Sequence, residues 1–291
     1  MPAELTILHI SDLHFGPPYV PKVGTALLDL APTLGPDCTI ISGDLTQRAR
    51  PEQFAQARAF IDRLPGPRVV IPGNHDVPLY RIFERLFRPY EQYTRHISED
   101  LNQLLVLDGR AVIVALNSTA PRCAITNGRV NSEQLAWATE ALSAATNEMI
   151  KIVVAHHHFA PAPDYEKDQV LPQARRALEH FLDLNVDLIL GGHLHRAYIG
   201  NSLDVYPAHR RDRGIIIVQS GTTTSRRGRA REAEKNSFNL LHLTPERFRI
   251  THCMYFDDLG RFEPVGEHHF PRPGLRTLTD PRVRAQSETV V

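Results

Sequence analysis

Cysteine is scarce in this sequence, and the apolar runs are short. The three cysteines of the 291-residue chain, Cys38, Cys123 and Cys253, are odd in number and far apart, which argues against a disulfide framework and predicts a reducing, cytoplasmic compartment. No apolar run reaches the roughly 18 residues that a membrane-spanning helix needs. The first residues enter a strand pattern without the basic and apolar regions of a signal peptide. We therefore expect a cytoplasmic protein without a transmembrane segment.

An excess of charge of either sign is also absent. Lys+Arg and Asp+Glu are each 33, so the formal net charge is zero, and the overall balance gives no support for a nucleic-acid partner. The composition, 42% hydrophobic and 23% charged, is that of an ordinary globular domain. Histidine, in contrast, is abundant, with fifteen copies. Their positions in the chain indicate why.

Five short apolar runs are predicted to be buried strands, and polar residues of metal-binding types follow each one. The runs span residues 5–10, 38–41, 69–71, 151–155 and 186–190. The polar residues that follow them are Asp12 and His14; Asp44; Asn74, His75 and Asp76; His156, His157 and His158; and His193 and His195. Helical patterns at about 22–34, 51–64, 131–145 and 172–184 separate the runs, which predicts an α/β fold. In such folds, ligands bind at the carboxyl ends of the strands, so the clusters should converge.

Each cluster has an ordinary alternative explanation when taken alone. Asp12 could cap a helix while His14 lies on the surface, and Asn74 and His75 could stabilise a turn through local hydrogen bonds. The repetition of the pattern at five strand ends favours a shared ligand.

The candidate ligands combine carboxylate, amide and imidazole groups without a thiolate. They are Asp12, His14, Asp44, Asn74, His156, His193 and His195. This mixture suits Mn²⁺, Fe²⁺ or Fe³⁺, or Zn²⁺ better than a calcium site or a cysteine-based zinc site. Seven ligands are too many for one ion that keeps an open position. Two ions bridged by a carboxylate would accommodate them, and such a pair can clamp both oxygens of a displacement at phosphorus.

The same residues form an ordered signature. The blocks are Asp12-Leu13-His14, Gly43-Asp44, Gly73-Asn74-His75-Asp76, His156-His157 and Gly192-His193-Leu194-His195. In this order they resemble the five-block signature of the calcineurin-like metallophosphoesterases, and the size and spacing are most similar to the bacterial cyclic-nucleotide phosphodiesterase and glycerophosphodiesterase branch. The resemblance implies a four-layer αββα sandwich with a dinuclear metal centre.

The resemblance also implies a role for each residue. One ion would be held by Asp12, His14, Asp44 and His195, and the other by Asp44, Asn74, His156 and His193. The choice of His156 among the three consecutive histidines depends on the resemblance alone. His75 would be a catalytic residue near the phosphate and leaving group, and Asp76 would orient it.

The expected reaction is hydrolysis of small phosphodiesters, either cyclic nucleotides or glycerophosphodiesters. A hydroxide bridging the two cations would attack phosphorus, and His75 could protonate the leaving alkoxide. The alternatives are a nucleotide or phospholipid pyrophosphohydrolase near the membrane, a nuclease and a non-catalytic protein-binding scaffold. The expected partners are the small phosphodiester substrate and further copies of the chain in a homo-oligomer.

Three further segments carry expectations. The segment 79–101 has a helical pattern with aromatic residues and arginines; it predicts aromatic side chains that face the core or, alternatively, a cap that faces the substrate. The basic segment from Ser225 to Arg231, which includes Arg226, is predicted to be a solvated, mobile loop.

The C-terminal third is predicted to contain strands at 215–219, 237–243 and 247–256, which form an antiparallel extension of one domain, 1–270. Residues 271–291 are predicted to form a Pro/Arg-rich tail that is partly disordered or contacts another subunit.

Overall fold

Two stacked β-sheets with helices on their outer faces make up the computed structural model, which describes residues 4–123, 126–161, 169–206 and 213–275. The strands in chain order are β1 (Leu5–Ile10), β2 (Cys38–Ile41), β3 (Arg68–Val70), β4 (Gln103–Leu107), β5 (Ala111–Leu116), β6 (Ile150–Ala155), β7 (Leu188–Gly191), β8 (Tyr198–Asn201), β9 (Ile216–Gln219), β10 (Ser237–Leu243), β11 (Arg247–Phe256) and β12 (Arg261–Pro271). The α-helices in chain order are α1 (Pro21–Leu30), α2 (Pro51–Ile61), α3 (Ile82–Phe87), α4 (Glu91–His96), α5 (Ser132–Ala144), α6 (Ala174–Asp183) and α7 (Ser202–Val205). Short 3₁₀ turns occur at Ala31–Leu34, Asn74–Asp76 and Ala230–Glu232.

In the described residues, each sheet has six strands and contains one group of neighbouring parallel strands, which lies at one side of the first sheet and in the centre of the second. The first has the order β12-β11-β10-β1-β2-β3 and the second β4-β5-β6-β7-β9-β8. Strands β1, β2 and β3 are parallel, as are β5, β6, β7 and β9. The carboxyl ends of each parallel group therefore lie at one edge of its sheet. The polar clusters of the sequence come directly after these strand ends.

Three apolar clusters define four layers. Helices α1, α2 and α4 pack on the outer face of the first sheet through residues such as Phe54 and Tyr93. Side chains of both sheets, including Ile40 and Ile152, form the central layer between them. Helices α5 and α6 cover the second sheet, with Phe181 fully buried. The predicted αββα sandwich is confirmed.

Local sequence signals explain the central elements. Strands β5 and β6 are buried along their whole length, as expected of apolar runs in a sheet covered on both faces. Helices α1 and α2 begin with Pro21 and Pro51, which suit a first-turn position. Helix α5 is capped by Asn131, whose side chain accepts a 2.8 Å hydrogen bond from the Gln134 N–H.

The prediction for the C-terminal third was partly wrong. Only β10, β11 and β12 form an antiparallel extension of the first sheet, because β9 lies in the second sheet, parallel to β7. A four-residue buried run does not reveal its partner strand, so the sequence pattern could not assign β9 to a sheet. Strands β8 and β12 and helix α7 were not predicted. Residues 276–291 of the predicted tail lie outside the described residues.

The segment 79–101 forms two short helices, α3 and α4, rather than one long one. Tyr93 is fully buried, as predicted, but Tyr80, Phe83 and Phe87 are 72%, 81% and 73% exposed. The prediction of core-facing aromatic side chains was therefore wrong for the first half of the segment, since α3 buries none of its residues. Among the described residues, we find no helix with the length and apolar character that crossing a bilayer requires.

Candidate metal centre

Most of the candidate ligands have an unusual backbone conformation with a positive φ angle. The five ligand residues with positive φ angles are Asp12 (54°), His14 (50°), Asp44 (52°), His193 (72°) and His195 (53°). This left-handed region is unfavourable for residues other than glycine and is frequent at functional sites. Backbone hydrogen bonds hold the turns together: the N–H groups of Asp12 and His14 donate to the carbonyl oxygens of Gly43 and Asp44, each at 3.0 Å.

Four of the predicted ligands form a first cluster. The ligand atoms of Asp12, His14, Asp44 and His195 all lie within 4.8 Å of one another, and all four residues are buried. The Nε2 atom of His195 lies 3.1 Å from Asp12 Oδ1 and 2.9 Å from His14 Nε2. The geometry therefore brings together the four residues that the family resemblance assigned to one ion.

A second cluster adjoins the first through Asp44. The Oδ1 atom of Asn74 lies 3.2 Å from His156 Nε2 and 3.0 Å from His193 Nδ1. Asp44 Oδ1 lies 3.4 Å from His156 Nε2, while Asp44 Oδ2 lies 3.6 Å from His14 Nε2. Each oxygen of the Asp44 carboxylate thus faces a different cluster, which is the arrangement that a bridging ligand requires.

The neighbouring His157 also lies close to this second cluster. Its ring nitrogens and those of His156 and His193 come within 4.8 Å of one another. Both rings engage their Nδ1 atoms, His157 with Ser118 Oγ and His156 with the Ser42 carbonyl oxygen, each at 2.8 Å. The Nε2 atom of His156 faces Asn74 and Asp44, whereas that of His157 has no hydrogen-bond partner among the described residues. This difference favours His156 as the ligand from this block.

The donor set suits cations. Asp12 Oδ1 and Asp44 Oδ2 are buried and make no hydrogen bond of good geometry in the described part of the chain, and the nitrogens that approach them, His195 Nε2 at 3.1 Å and His14 Nε2 at 3.6 Å, belong to other candidate ligands. Unpaired carboxylate oxygens at such depth are costly without a counter-charge. Mixed oxygen and nitrogen donors without sulfur are appropriate for Mn²⁺, Fe or Zn²⁺. The residues therefore fit the predicted metal ions.

Electrostatic interactions and burial within the cluster favour ionised carboxylates and a neutral His14 imidazole, which are the forms that bind cations. Burial alone would raise the pKa of the Asp12 carboxyl, but the imidazoles of His195 and His14 outweigh it and hold this pKa well below its usual range. The pKa of Asp44 is likewise held low against its burial by His156 and His75. Burial lowers the pKa of His14 to about 4, so its imidazole is neutral at pH 7, the form that binds metals.

His75 lies beside the clusters and has defined partners. Its backbone N–H donates to Asp44 Oδ1 at 2.8 Å, and its ring packs edge-on against His14 with centroids 4.9 Å apart. The Nδ1 atom lies 3.0 Å from the carbonyl oxygen of Gln47, and Nε2 lies 3.1 Å from Arg227 Nη1. Since a carbonyl can only accept and a guanidinium can only donate, Nδ1 carries the proton and Nε2 is the acceptor.

The prediction that Asp76 orients His75 was wrong. The Asp76 carboxylate is buried and accepts hydrogen bonds from the backbone N–H groups of Leu45 (3.0 Å), Thr46 (2.8 Å) and Gly73 (2.9 Å), with a fourth from the Thr46 hydroxyl (3.0 Å). Burial, together with the charge of Asp44, raises the pKa of Asp76 to about 7. Asp76 therefore braces the turn that carries Asp44, because the 3₁₀ turn aims its side chain at that turn and away from the His75 ring.

Two residues near His75 were missed as site residues. Arg227 comes from the segment predicted to be a solvated, mobile loop, but it is half-buried and its Nη1 also lies 3.0 Å from Gln47 Oε1. Gln47 stands three residues after Asp44. Proximity to the Gly43-Asp44 block was a signal for Gln47. Arg227 had only the weak signal of a basic loop, because its position depends on contacts between distant parts of the chain.

A comparison with known families identifies this arrangement. The model of the calcineurin-like phosphoesterase family matches residues 5–197, which include all seven candidate ligands. The chain belongs to the calcineurin-like phosphoesterase family. The predicted resemblance is thus confirmed.

Curated relatives of this phosphoesterase carry phosphodiesterase names. A probable cyclic nucleotide phosphodiesterase of Synechococcus is 26% identical over 208 residues, covering 67% of this chain and 75% of the relative. A probable glycerophosphodiester phosphodiesterase of Arcobacter nitrofigilis is 25% identical over 242 residues, covering 78% and 80%. A probable cyclic nucleotide phosphodiesterase of Rhodococcus erythropolis is 28% identical over 260 residues, covering 86% and 79%.

Solved structures share the fold of this phosphoesterase. A purple acid phosphatase from yellow lupin has a TM-score of 0.68 at 13% identity; the match covers 94% of this chain and 54% of the lupin chain, so our chain spans about half of that enzyme. A dimetal phosphatase from Danio rerio has a TM-score of 0.62 at 12% identity, covering 92% of this chain and 99% of that one. At these identities the likeness establishes the fold alone.

Proposed function

We propose that this phosphoesterase is a dinuclear metal-dependent hydrolase of phosphodiester bonds in small substrates, either cyclic nucleotides or glycerophosphodiesters. The observation that carries the proposal is the pair of adjacent oxygen and nitrogen clusters that share Asp44. The phosphodiesterase names of the bacterial relatives support the substrate class. The three cysteines are free thiols, in keeping with the reducing, cytoplasmic compartment that we propose.

The proposed ligands divide between two ions. The first set is Asp12, His14, Asp44 and His195, and the second is Asp44, Asn74, His156 and His193. When bound, two such cations supply Lewis acidity that activates a water molecule and neutralises charge on phosphoryl oxygens. Asp44 holds both sides of the centre together, and the hydrogen bond from the His156 Nδ1 to the Ser42 carbonyl fixes the ring so that Nε2 faces the cluster.

His75 is the proposed residue on the leaving-group side. Its ring lies beside His14 but is held by Gln47 and Arg227, so it stands outside both ligand sets. Its Nε2 atom is the one that faces away from the Gln47 carbonyl. We propose that this atom interacts with the phosphate. After Nε2 has taken up a proton from solvent, it delivers that proton to the leaving alkoxide.

A substrate screen tests the proposed function. The protein is reconstituted with Mn²⁺, Fe²⁺ or Zn²⁺ and assayed against cyclic nucleotides, glycerophosphodiesters, phosphomonoesters and diphosphates. We expect the highest kcat/KM on a small phosphodiester, and no activity after chelation of the metal. A clear preference for monoesters or diphosphates would contradict the proposal.

A second candidate function is favoured by the exposed segment around α3. Tyr80, Phe83 and Phe87 are mostly exposed, and Arg48 stacks on the Tyr80 ring at 4.4 Å, close to the Gln47 that contacts His75. Exposed aromatic side chains among arginines are typical of surfaces that meet lipid. They would suit a pyrophosphohydrolase of a lipid-linked diphosphate. Faster hydrolysis of such a diphosphate in detergent micelles than of any small diester would favour this alternative.

A further inference from the structure

The loop that carries Arg227 is fixed to the site on both sides. The backbone N–H of Arg226 donates to the Pro18 carbonyl oxygen at 2.9 Å, and that of Arg229 donates to the carbonyl oxygen of His195 at 3.1 Å. Between these anchors, a Cβ on Gly228 would collide with the backbone carbonyl of Glu232, so the chain packs more closely there than another residue would permit. The position of Arg227 is therefore set by backbone contacts, one of them to a candidate ligand.

The guanidinium of Arg227 points at the site, and its partners in the described part of the chain are neutral. Its Nη1 donates to His75 Nε2 at 3.1 Å and to Gln47 Oε1 at 3.0 Å. Among the described residues, no carboxylate lies within 4.0 Å of it. Arg110, in contrast, pairs with Asp37 at 2.8 Å. Within residues 4–123, 126–161, 169–206 and 213–275, Arg227 is thus a partly buried cation that lacks an anion in direct contact.

A partly buried guanidinium of this kind is stabilised by contact with an anion. Burial lowers the pKa of the Arg227 guanidinium, and the more distant charges of Asp44 and Asp12 partly oppose this effect. A partly desolvated guanidinium is stabilised most by an anion that can accept two of its N–H groups, and phosphate oxygens have that geometry. The nearest place for such an anion is beside His75, where the proposed reaction puts the phosphodiester.

We propose that Arg227 is a substrate-binding residue, which donates to a non-bridging oxygen of the phosphodiester in exchange for its hydrogen bond to His75. This inference rests on the proposed function and deepens it. The exchange frees Nε2 of His75, which is the atom that must face the leaving group. Substrate binding would in this way couple charge neutralisation by Arg227 to release of His75.

The test compares Arg227→Gln with the wild type and with Arg226→Gln, an exposed neighbour in the same loop, all loaded with metal. Charge-assisted hydrogen bonds predict that Arg227→Gln weakens the binding of inorganic phosphate roughly 10- to 100-fold, measured by calorimetry. The KM for a phosphodiester should rise by a similar factor and kcat should change less, because the contact already forms in the ground state. Arg227→Lys keeps the positive charge but loses the planar pair of N–H donors. Its phosphate affinity should therefore lie between those of the wild type and Arg227→Gln. Metal content and the unfolding midpoint should match the wild type, and Arg226→Gln should change none of these values.

Chemical rescue is a further measurement, and it should have no effect if the role of Arg227 is purely structural. Free guanidinium at millimolar concentration should restore part of the phosphate affinity of Arg227→Ala but have no such effect on Arg226→Ala. Unchanged phosphate affinity and KM in Arg227→Gln would overturn the inference, as would loss of metal or fold in both Arg227→Gln and Arg227→Lys. Because phosphate binding is measured without turnover, a wild type that binds phosphate but hydrolyses no diester would refute the proposed function alone.

Discussion

The role of Asp76 gives a prediction that separates two accounts of the site. Its carboxylate accepts three backbone hydrogen bonds, from Leu45, Thr46 and Gly73, in a buried position. Asp76→Ala removes the acceptor and leaves these three N–H groups without partners. If Asp76 braces the turn of Asp44, the variant should lose stability and metal together.

The magnitude follows from the hydrogen bonds. A buried donor left without a partner costs about 1–3 kcal/mol, and the three groups are neighbours whose losses do not add fully. We therefore expect the free energy of unfolding to fall by about 3–5 kcal/mol in Asp76→Ala. Asp76→Asn keeps one acceptor oxygen and the side-chain shape, so its loss should be smaller.

Urea unfolding at pH 7.5, with metal content measured on the same preparations, provides the assay. The matched control is His75→Asn, which we expect to keep both the unfolding midpoint and the metal. The reasoning would be refuted if Asp76→Ala behaved like His75→Asn, with intact stability and metal but low turnover. That result would mean that Asp76 acts through the His75 imidazole after all.

Three further predictions concern single residues. Asp44→Ala should reduce turnover more than His14→Ala, because its carboxylate faces both clusters; the reverse order in steady-state assays would contradict a bridging role. His75→Asn should lower kcat roughly 100-fold for a substrate that releases an alkoxide and less for one that releases a phenolate; equal losses would indicate phosphate binding instead. Burial lowers the pKa of His252 to about 4, whereas the unfolded chain takes up this proton near its usual pKa of about 6.5, so stability should be lost as the pH falls from 6.5 to 4. His252→Gln should remove up to about 3 kcal/mol of that loss in denaturation series across pH, and an unchanged pH profile would contradict the assignment.

The sequence predicted the parts of the fold that depend on local patterns. Strands β1, β2, β5 and β6 are short, mostly apolar runs. Pro51 stands at the first turn of its helix, and the Asn131 side chain caps the start of another. The strand ends at which the candidate ligands lie were predicted for the same reason, since parallel strands bring their ends together. The choice of His156 and the division of the ligands between two ions came from the family resemblance.

The features that the sequence did not predict depend on distant contacts. Strand β9 joins β7 in the second sheet, a choice that no four-residue run encodes. Strand β12 is largely exposed and contains Pro264 and Gly266, so it shows no regular alternation. Arg227 reaches His75 across 152 positions, and Asp76 bonds to a turn 30 residues earlier. Such pairings become visible only when the chain is folded.

Metal stoichiometry tests the central claim most directly. The wild-type protein is reconstituted with Mn²⁺, freed of excess ion and examined by elemental analysis. Two clusters that share Asp44 predict two ions per chain, and one or fewer in Asp44→Ala. One ion or none in the saturated wild type would contradict the dinuclear centre.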